Sequence, residues 1–279
     1  MRTISAGRRV WPSYLLLVVL AAFFLFPMAF MLVGAFKPNE LVLAEANTIR
    51  AFWPTDATVD NFVGAFERAR FGRLFINSSI IAVFVVGLGL VVNSLLGYGL
   101  ARLPFRGARY LLLAIIALTI IPLEAVAIPL LWMMSEAGLR NTYTVQILPF
   151  IANPLFVYLF YTFFLAIPKD LEEAAKVDGA GPFTTFLRVS VPLAKPAYAT
   201  VGILSFLFIW GQLLWPVLVT AGPKVRPLPL GISVFVHQPP INWGDIMAFA
   251  LMMTLPLLVI FIVFQRWFVE SVARSGIKG

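Results

Sequence analysis

The sequence predicts an all-α integral membrane protein with six transmembrane helices, forming a single domain over residues 1–279. The chain is 61% hydrophobic and only 12% charged, about half the charged share of a soluble globular domain. Apolar runs long enough to cross the hydrocarbon core as a helix recur along the chain. The predicted spans are residues 14–36, 77–101, 110–134, 143–165, 197–220 and 246–268.

The first predicted span follows Arg2, Arg8 and Arg9, as the apolar region of a signal peptide would. However, its 23 uncharged residues exceed the usual length of such a region, and no A-x-A cleavage pattern follows. We therefore expect it to be retained as the first membrane helix.

The second predicted span combines small residues with polar ones at membrane depth. Small residues let helix backbones approach each other, and polar residues form hydrogen bonds between helices. The pattern predicts close helix packing and says nothing about what crosses the membrane. The residues concerned are Gly87, Gly89, Asn93, Ser94, Gly97 and Gly99.

Glu124 is the one acidic residue within a predicted span, near the middle of the third. A carboxylate is costly in lipid and suggests a residue that lines a pathway. Alternatively, Pro122 and Pro129 loosen the helix, and the carboxylate bonds to a freed backbone group. Both interpretations stay open at this point.

The loop between the fourth and fifth spans, residues 166–196, carries four acids and four bases. Asp170 and Glu173 form a capping-box pattern, which predicts a helix with Asp170 as its N-cap. Gly179 suits a left-handed helix stop, and Pro182 suits the first turn of a second helix. The 166–196 loop is therefore predicted to be a helix-turn-helix.

The second helix of this loop carries three apolar side chains in a polar setting: Phe183, Phe186 and Leu187. We expect all three to be exposed on the isolated chain. Because a loop rarely exposes such residues without a function, they predict a protein partner.

The distribution of basic residues predicts the orientation. Thirteen of the 21 Lys and Arg residues lie in segments 1–13, 102–109, 166–196 and 266–279. By the positive-inside rule, both termini and the 166–196 loop are cytoplasmic. The same rule explains the net charge of +8, so a nucleic-acid partner is not expected.

Few residues could carry chemistry. The chain has no cysteine, its one histidine is His237, and it lacks the Gly-Lys of a phosphate-binding loop. We expect no enzyme activity, no metal site and no cofactor in this chain. The alternative is a stand-alone ion- or proton-coupled carrier or channel, but Glu124 alone offers it little support.

At the 166–196 loop the chain resembles the integral-membrane permease subunits of ABC importers. The family pattern is E-A-A, three residues, G, nine residues and I-x-L-P. This chain keeps the spacing, with valines in place of isoleucine and leucine. The matching residues are Glu173, Ala174, Ala175, Gly179 and the segment Val189-Ser190-Val191-Pro192.

Further features resemble the carbohydrate-importing branch and, within it, the shorter maltose-type permease. These are NTY at 141–143, NWG at 242–244, FQRWFVE at 264–270 and the tail SGIKG. The likeness covers nearly the whole chain. One departure is Trp210-Gly211-Gln212, where relatives commonly have Trp-Asn followed by an acid or another polar residue.

The resemblance implies a complex in a bacterial or archaeal cytoplasmic membrane. Its other members would be a second, non-identical permease, two ABC ATPase subunits that bind ATP and Mg, and an external substrate-binding protein. The transported solute would be a sugar or a related polar molecule. The sequence does not tell which one.

The resemblance also implies roles for particular residues. The 166–196 loop would couple to the ATPase, the loop between the last two helices would contact the binding protein, and a short flexible tail would reach between the ATPases. Glu124 and Gln212 are the possible pathway residues. The coupling residues would be Glu173, Ala174, Ala175, Gly179, Phe183, Phe186, Leu187 and Pro192; the loop residues His237, Gln238, Pro239, Pro240 and Ile241; and the tail residues Ser275, Gly276, Ile277, Lys278 and Gly279.

Overall fold

The computed structural model describes residues 10–54, 56–237 and 239–276, and this part of the chain is helical. Among these residues, three helices are each long and apolar enough to cross a membrane, and up to six spans result if each bent helix pair counts as one. The helices are α1 (Val10–Ala35), α2 (Asn39–Ala44), α3 (Asp60–Arg68), α4 (Phe71–Arg102), α5 (Ala108–Leu118), α6 (Leu123–Glu136), α7 (Tyr143–Ile147), α8 (Pro154–Ala166), α9 (Lys169–Val177), α10 (Pro182–Thr185), α11 (Val191–Leu193), α12 (Lys195–Trp210), α13 (Leu214–Val219), α14 (Ile232–His237) and α15 (Trp243–Gly276).

The first, second and last predicted spans correspond to the long helices α1, α4 and α15. The third and fourth predicted spans are not single straight helices. Helices α5 and α6 meet at a bend of 103°, and the helical segments Tyr143–Phe150 and Pro154–Ala166 meet at 42°. Pro122 is the last residue before α6, and Pro154 is the first residue of α8. A proline disfavours helical backbone in the residue before it.

The fifth predicted span is also interrupted. Helix α12 ends at Trp210, and α13 begins only at Leu214. Pro216 cannot donate to the carbonyl of Gln212, four residues earlier, and its ring crowds that carbonyl. The sequence at Trp210-Gly211-Gln212 therefore forms a break rather than the middle of a helix.

The contacts divide the chain into two compact units, each described by itself. The first comprises Met1–Phe71 and Gly231–Leu255, so it holds α1 to α3, α14 and the first part of α15. Asn61 is buried there and donates from Nδ2 to the carbonyls of Ala35 (3.0 Å) and Lys37 (2.6 Å). Lys37 is itself buried and pairs with Glu45 at 2.7 Å. Polar contacts thus fold the segment after α1 onto the end of that helix.

The second unit comprises Gly72–Leu230 and Pro256–Gly279. Its main core joins α4, α8 and the start of α12. Aromatic rings fill the space, and alanines allow α12 to lie close. The buried members of this core are Tyr98, Phe156, Phe160, Phe164, Phe186, Ala194, Ala197 and Val201.

Gly97 sets the separation of α4 and α8. A Cβ atom placed on Gly97 would lie 2.6 Å from Cβ of Phe160 and 2.8 Å from the backbone nitrogen of Tyr161. Asn93, one turn earlier, accepts at Oδ1 from the backbone N–H of Asn153 at 2.9 Å. The prediction of close packing along α4 is confirmed at these two residues. By contrast, Gly87 and Gly99 have open space beside them.

Candidate functional site

The 166–196 loop has the predicted helix-turn-helix form, but its first helix begins differently from the prediction. Helix α9 starts at Lys169 with Pro168 as N-cap and no capping hydrogen bond from a side chain. The capping-box prediction for Asp170 and Glu173 is therefore wrong. Because Pro168 supplies the extended N-cap backbone two residues before Asp170, Asp170 lies inside the first turn.

The end of α9 follows the prediction. Gly179 has φ +81°, a left-handed conformation that glycine adopts without a Cβ penalty. The N–H of Gly179 donates to the carbonyl of Lys176 at 3.0 Å, and that of Ala180 donates to Ala175 at 2.9 Å. These two bonds form a Schellman motif, which reverses the chain and starts α10 at Pro182.

Two adjacent glutamates of α9 have opposite environments. Successive residues of a helix point about 100° apart. Glu173 is exposed, whereas Glu172 is only 7% exposed and lies with its Oε1 atom 3.1 Å from Nε of Arg102 in α4. One carboxylate is thus tied to the membrane helices, and the next is available to a partner.

The three apolar residues of the second half of the loop also differ in their exposure to solvent. Phe183 is 64% exposed and Leu187 is exposed as well, as predicted. The expectation that Phe186 is exposed is wrong, because its ring packs inside the chain, 5.0 Å from Tyr98 and 6.0 Å from Phe164 between ring centroids. Phe183 and Phe186 are neighbours on the helix surface, with ring centroids 6.3 Å apart, but only Phe186 reaches the core.

The remaining predicted coupling residues lie on the surface of the same loop. Ala174 and Gly179 are exposed, Ala175 is partly exposed, and Pro192 is exposed within α11. After α10 the chain forms a π-helical turn over Phe186–Ser190, and α11 follows it to Leu193. A shallow groove runs between the two halves of the loop, lined by Ala175, Asp178, Gly179, Ala180, Thr184, Thr185, Arg188 and Val189.

Gln212, one of the two predicted pathway residues, lines a small cavity in the second unit together with Ser78, Gln146 and Trp215. The cavity measures about 10 Å³, close to the space of one water molecule. Trp215 donates from Nε1 to the carbonyl of Val145 at 2.8 Å, and Gln146 donates from Nε2 to that of Val225 at 2.8 Å. The side-chain oxygen of Gln146 is buried without a hydrogen-bond partner among the described residues.

Glu124, the other predicted pathway residue, does not lie in the middle of a helix. It occupies the first turn of α6, after the break at Pro122, and its side chain is exposed. An acidic residue at a helix N-terminus is favoured by the helix dipole. Glu124 does not line the cavity that contains Gln212.

The predicted binding-protein loop begins where α14 ends at His237, whose Nδ1 lies 2.9 Å from the carbonyl of Ser233. His237, Pro239, Pro240 and Ile241 are exposed. Gln238 lies outside the described residues. The carbonyl of Pro240 accepts from Nη2 of Arg68 at 3.0 Å, which ties the loop to α3.

Ser275 and Gly276 are the last two residues of α15, so they belong to a helix rather than to a flexible tail. Ile277, Lys278 and Gly279 lie outside the described residues. The predicted tail is thus described only at its start.

Sequence analysis did not identify the partners Arg102 and Glu172. Arg102 contributed only to the distribution of basic residues beyond the second span. The motif begins at Glu173, so it assigned no role to Glu172. The available signal was the pair of adjacent glutamates on a short amphipathic helix, of which one had to face inward. Within the described residues, no group of three or more His, Asp or Glu residues could hold a metal ion.

Residues 93–274 match the family described as binding-protein-dependent transport system inner membrane component. The matched region begins in the last third of α4 and ends within α15, so it includes the whole 166–196 loop.

The similarity to individual relatives extends over most of the chain. The arabinooligosaccharides transport system permease protein of Halalkalibacterium halodurans is 32% identical over 255 residues, which cover 91% of each chain. The trehalose transport system permease protein of Mycobacterium tuberculosis is 36% identical over 230 residues, covering 81% of this chain and 84% of the relative.

The fold also resembles a solved structure. A chain of a bacterial ABC transporter involved in the import of the acidic polysaccharide alginate superposes with a TM-score of 0.84 at 21% identity. The superposition covers 96% of this chain and 100% of that one. At this identity the likeness supports the fold.

Proposed function

Since the chain belongs to the family of binding-protein-dependent transport system inner membrane components, we propose that it forms half of the translocation pathway of an ATP-driven sugar importer. It is a multi-pass membrane permease and a non-catalytic transport component. ATP and its metal ion would bind to separate ATPase subunits. A second, non-identical permease would complete the pathway, and an external binding protein would deliver the solute.

One observation supports coupling to an ATPase through the 166–196 loop. The loop is anchored on its inner side by Glu172 and Phe186, yet it presents Glu173, Phe183 and Leu187 outward. An exposed carboxylate beside exposed apolar side chains is the composition of a surface that binds another protein. The outer face, namely Glu173, Ala174, Ala175, Gly179, Phe183, Leu187 and Pro192, would contact the ATPase.

The carboxylate of Glu173 would pair with a basic residue of the ATPase. Such a charge-assisted contact becomes partly desolvated as the interface forms, and this strengthens it. Burial of Phe183 and Leu187 would contribute at most roughly 1.5 to 3 kcal/mol for each well-buried side chain. Closure of the ATPase dimer on ATP would then displace the loop and switch the permease between its two facing states.

The names of the similar permeases support a sugar as the transported solute. Their names specify arabinooligosaccharides and trehalose, which are neutral carbohydrates. Identifying the solute that raises the melting temperature of the binding protein would test this part of the proposal.

Two further contacts belong to the proposal. The exposed segment around Pro239, Pro240 and Ile241 would meet the binding protein outside the membrane. The residues at and beyond the end of α15, from Ser275 to Gly279, would lie near the ATPases. In this proposal both termini are cytoplasmic, which the distribution of basic residues supports.

The test is a Glu173→Lys variant of the complete transporter, expressed together with its partner permease, ATPase and binding protein. We expect the permease pair to insert and fold, to bind far less ATPase during purification, and to lose solute uptake. Co-purified ATPase and uptake into membrane vesicles are the measurements.

The matched control is Glu136→Lys, which makes the same charge reversal at an exposed residue at the end of α6. It should leave ATPase binding unchanged. A Glu173→Lys transporter that keeps its ATPases and takes up solute like the wild type would refute coupling through this surface. Solute flux by the chain without ATPase subunits would instead support a stand-alone carrier or channel.

A further inference from the structure

Arg102 connects three elements through a single buried guanidinium. It is the last residue of α4, and its side chain is only 4% exposed. Its Nη2 atom donates to the carbonyl of Phe164 at 2.6 Å and to that of Ile167. These carbonyls lie at the end of α8, where a helix has no partners of its own for its last carbonyl groups. Arg102 thus caps α8 with a positive charge at the negative end of the helix dipole.

The same guanidinium reaches the 166–196 loop. Its Nε atom lies 3.1 Å from Oε1 of Glu172 in α9. That carboxylate oxygen also accepts from the hydroxyl of Ser190 at 3.3 Å, in the π-helical turn before α11. Both halves of the helix-turn-helix are therefore tied through Glu172 to one residue of α4.

The surroundings of this ion pair exclude water. Tyr98, one turn before Arg102, packs against Phe164 of α8 and Phe186 of the loop, with ring centroids 5.5 Å and 5.0 Å away. Charges that are poorly exposed to water attract each other more strongly, and an unpaired charge there is costly. A lysine could not replace Arg102, because its single ammonium lacks the planar fork that serves two carbonyls and a carboxylate.

Two residues, Glu172 and Arg102, connect Glu173 of the proposed contact surface to the membrane helices. Glu172 and Glu173 are neighbours on the same helix, so a partner that holds Glu173 moves Glu172 with it. Glu172 in turn contacts Arg102, which is bonded to the ends of α4 and α8. No flexible segment intervenes between the proposed contact surface and the two membrane helices.

We infer that Arg102 is a positioning residue that transmits displacement of the 166–196 loop to α4 and α8 through its ion pair with Glu172. This inference rests on the proposed function, since it requires an ATPase that moves the loop. The role of Arg102 is to convert motion at the loop into motion of the helices, so it affects how much solute moves for each ATP hydrolysed. Glu173 would instead decide whether the ATPase binds.

The experiment uses the complete transporter in proteoliposomes with its loaded binding protein. Arg102→Gln and Glu172→Gln are made singly and together. Each single change leaves one charge buried without its partner, whereas the double variant leaves two neutral amides that can bond to each other. We therefore expect lower thermal stability in both single variants and substantial recovery in the double variant.

The readout is the amount of solute transported per ATP hydrolysed. A residue that only stabilised the fold would give a double variant with restored stability and a wild-type ratio. For a positioning residue we expect the stable double variant to keep its ATPases and hydrolyse ATP, with transport per ATP about tenfold lower. The exposed Arg106, just beyond α4, supplies the control Arg106→Gln, which should keep the wild-type ratio.

A stable double variant with a wild-type ratio would overturn the inference. Should the double variant fail to assemble, Arg102→Lys decides, because it keeps the charge and loses the fork: a lowered ratio supports the inference, and a wild-type ratio overturns it. Glu173→Lys separates the two proposals. If that variant keeps its ATPases and its uptake, the proposed function fails; if it loses them while the double variant transports normally, only the role of Arg102 fails.

Discussion

Arg68 of α3 and Asp245 of α15 form an ion pair in which Nη1 donates to Oδ2 at 2.7 Å. Asp245 is only 3% exposed and lies in the first turn of its helix. Its carboxylate also accepts weaker bonds from Nδ2 of Asn39 and Asn242, each at 3.3 Å. Arg68 further holds the carbonyl of Pro240 and stacks on the ring of Phe235. The pair thereby fixes the exposed Pro239–Ile241 segment.

We expect Arg68→Ala to lower the free energy of unfolding by about 2 to 3 kcal/mol, less than a fully buried pair costs because Arg68 is partly exposed. Uptake should fall as well, since the segment at Pro240 loses its anchor. Thermal unfolding of the purified complex and vesicle uptake measure the two effects. Arg50→Ala, which removes an exposed guanidinium 3.9 Å from Glu45, should change neither; equal effects of the two variants would argue against a special role for Arg68.

Gly97→Ala should destabilise the protein by about 1 to 3 kcal/mol, because the new methyl group would press on the backbone of α8 at Tyr161. Gly99→Ala is the matched control, as it lies in the same helix and has no atom within 4 Å of the added Cβ. The control should be neutral or slightly stabilising, since alanine favours helix. Melting temperatures in detergent compare the two, and equal values would contradict the close approach of α4 and α8.

Gly179→Val should disrupt the Schellman motif, because a β-branched residue resists φ +81°. The permease pair should still insert, while the α9–α10 turn changes its angle and the ATPases bind less tightly. Gly181→Ala, at an ordinary φ of −71°, provides the control. ATPase co-purification and uptake report the outcome, and normal values for Gly179→Val would leave the glycine as an ordinary helix stop.

Topology can be tested with single cysteines, because the chain contains none. An impermeant thiol reagent added to intact cells should label Asn47→Cys and His237→Cys, which are exposed positions, and should not label Thr184→Cys. Permeabilised cells should show labelling at position 184 too. Reaction at 184 in intact cells would reverse the predicted orientation.

Deleting Ile277–Gly279 removes three residues that lie outside the described part of the chain and keeps every described residue of α15, up to Gly276. If these residues lie near the ATPases, the deletion should change the ATP hydrolysis rate of the assembled transporter or its stimulation by loaded binding protein. Replacing Lys278 with alanine checks the contribution of the single charge. A rate and a stimulation equal to those of the wild type would remove the tail from the proposal.

Much of the membrane architecture could be predicted from sequence, because an apolar run of about 20 residues has few alternatives to a spanning helix. The helix stop at Gly179 and the start at Pro182 were also predictable, since each depends on the local chemistry of one residue. At Pro122 the sequence indicated a loosened helix as one alternative, but not a bend of 103°. The break after Trp210 was not predicted, because the apolar run continues through it and a hydropathy pattern does not show the loss of a backbone hydrogen bond.

The candidate site was predictable in its position and only partly in its detail. The spacing of the motif identified the 166–196 loop, but which face of each short helix is buried depends on packing against α4 and α8. Sequence could not separate Phe186 from Phe183, or Glu172 from Glu173. It also could not identify the partner of Glu172, since Arg102 lies 70 positions earlier in the chain.

The opposite environments of the two adjacent glutamates make the 166–196 loop modular. The residues that anchor the loop to the membrane helices differ from the residues that face outward. The outward-facing residues can therefore be substituted while the anchoring residues are kept. A transporter could be given a new ATPase by exchanging only the outward positions for those of another permease, with Glu172, Phe186 and Ser190 retained. Under the proposed coupling, the outward positions could differ between permeases that bind different ATPases, while the inward positions stay the same.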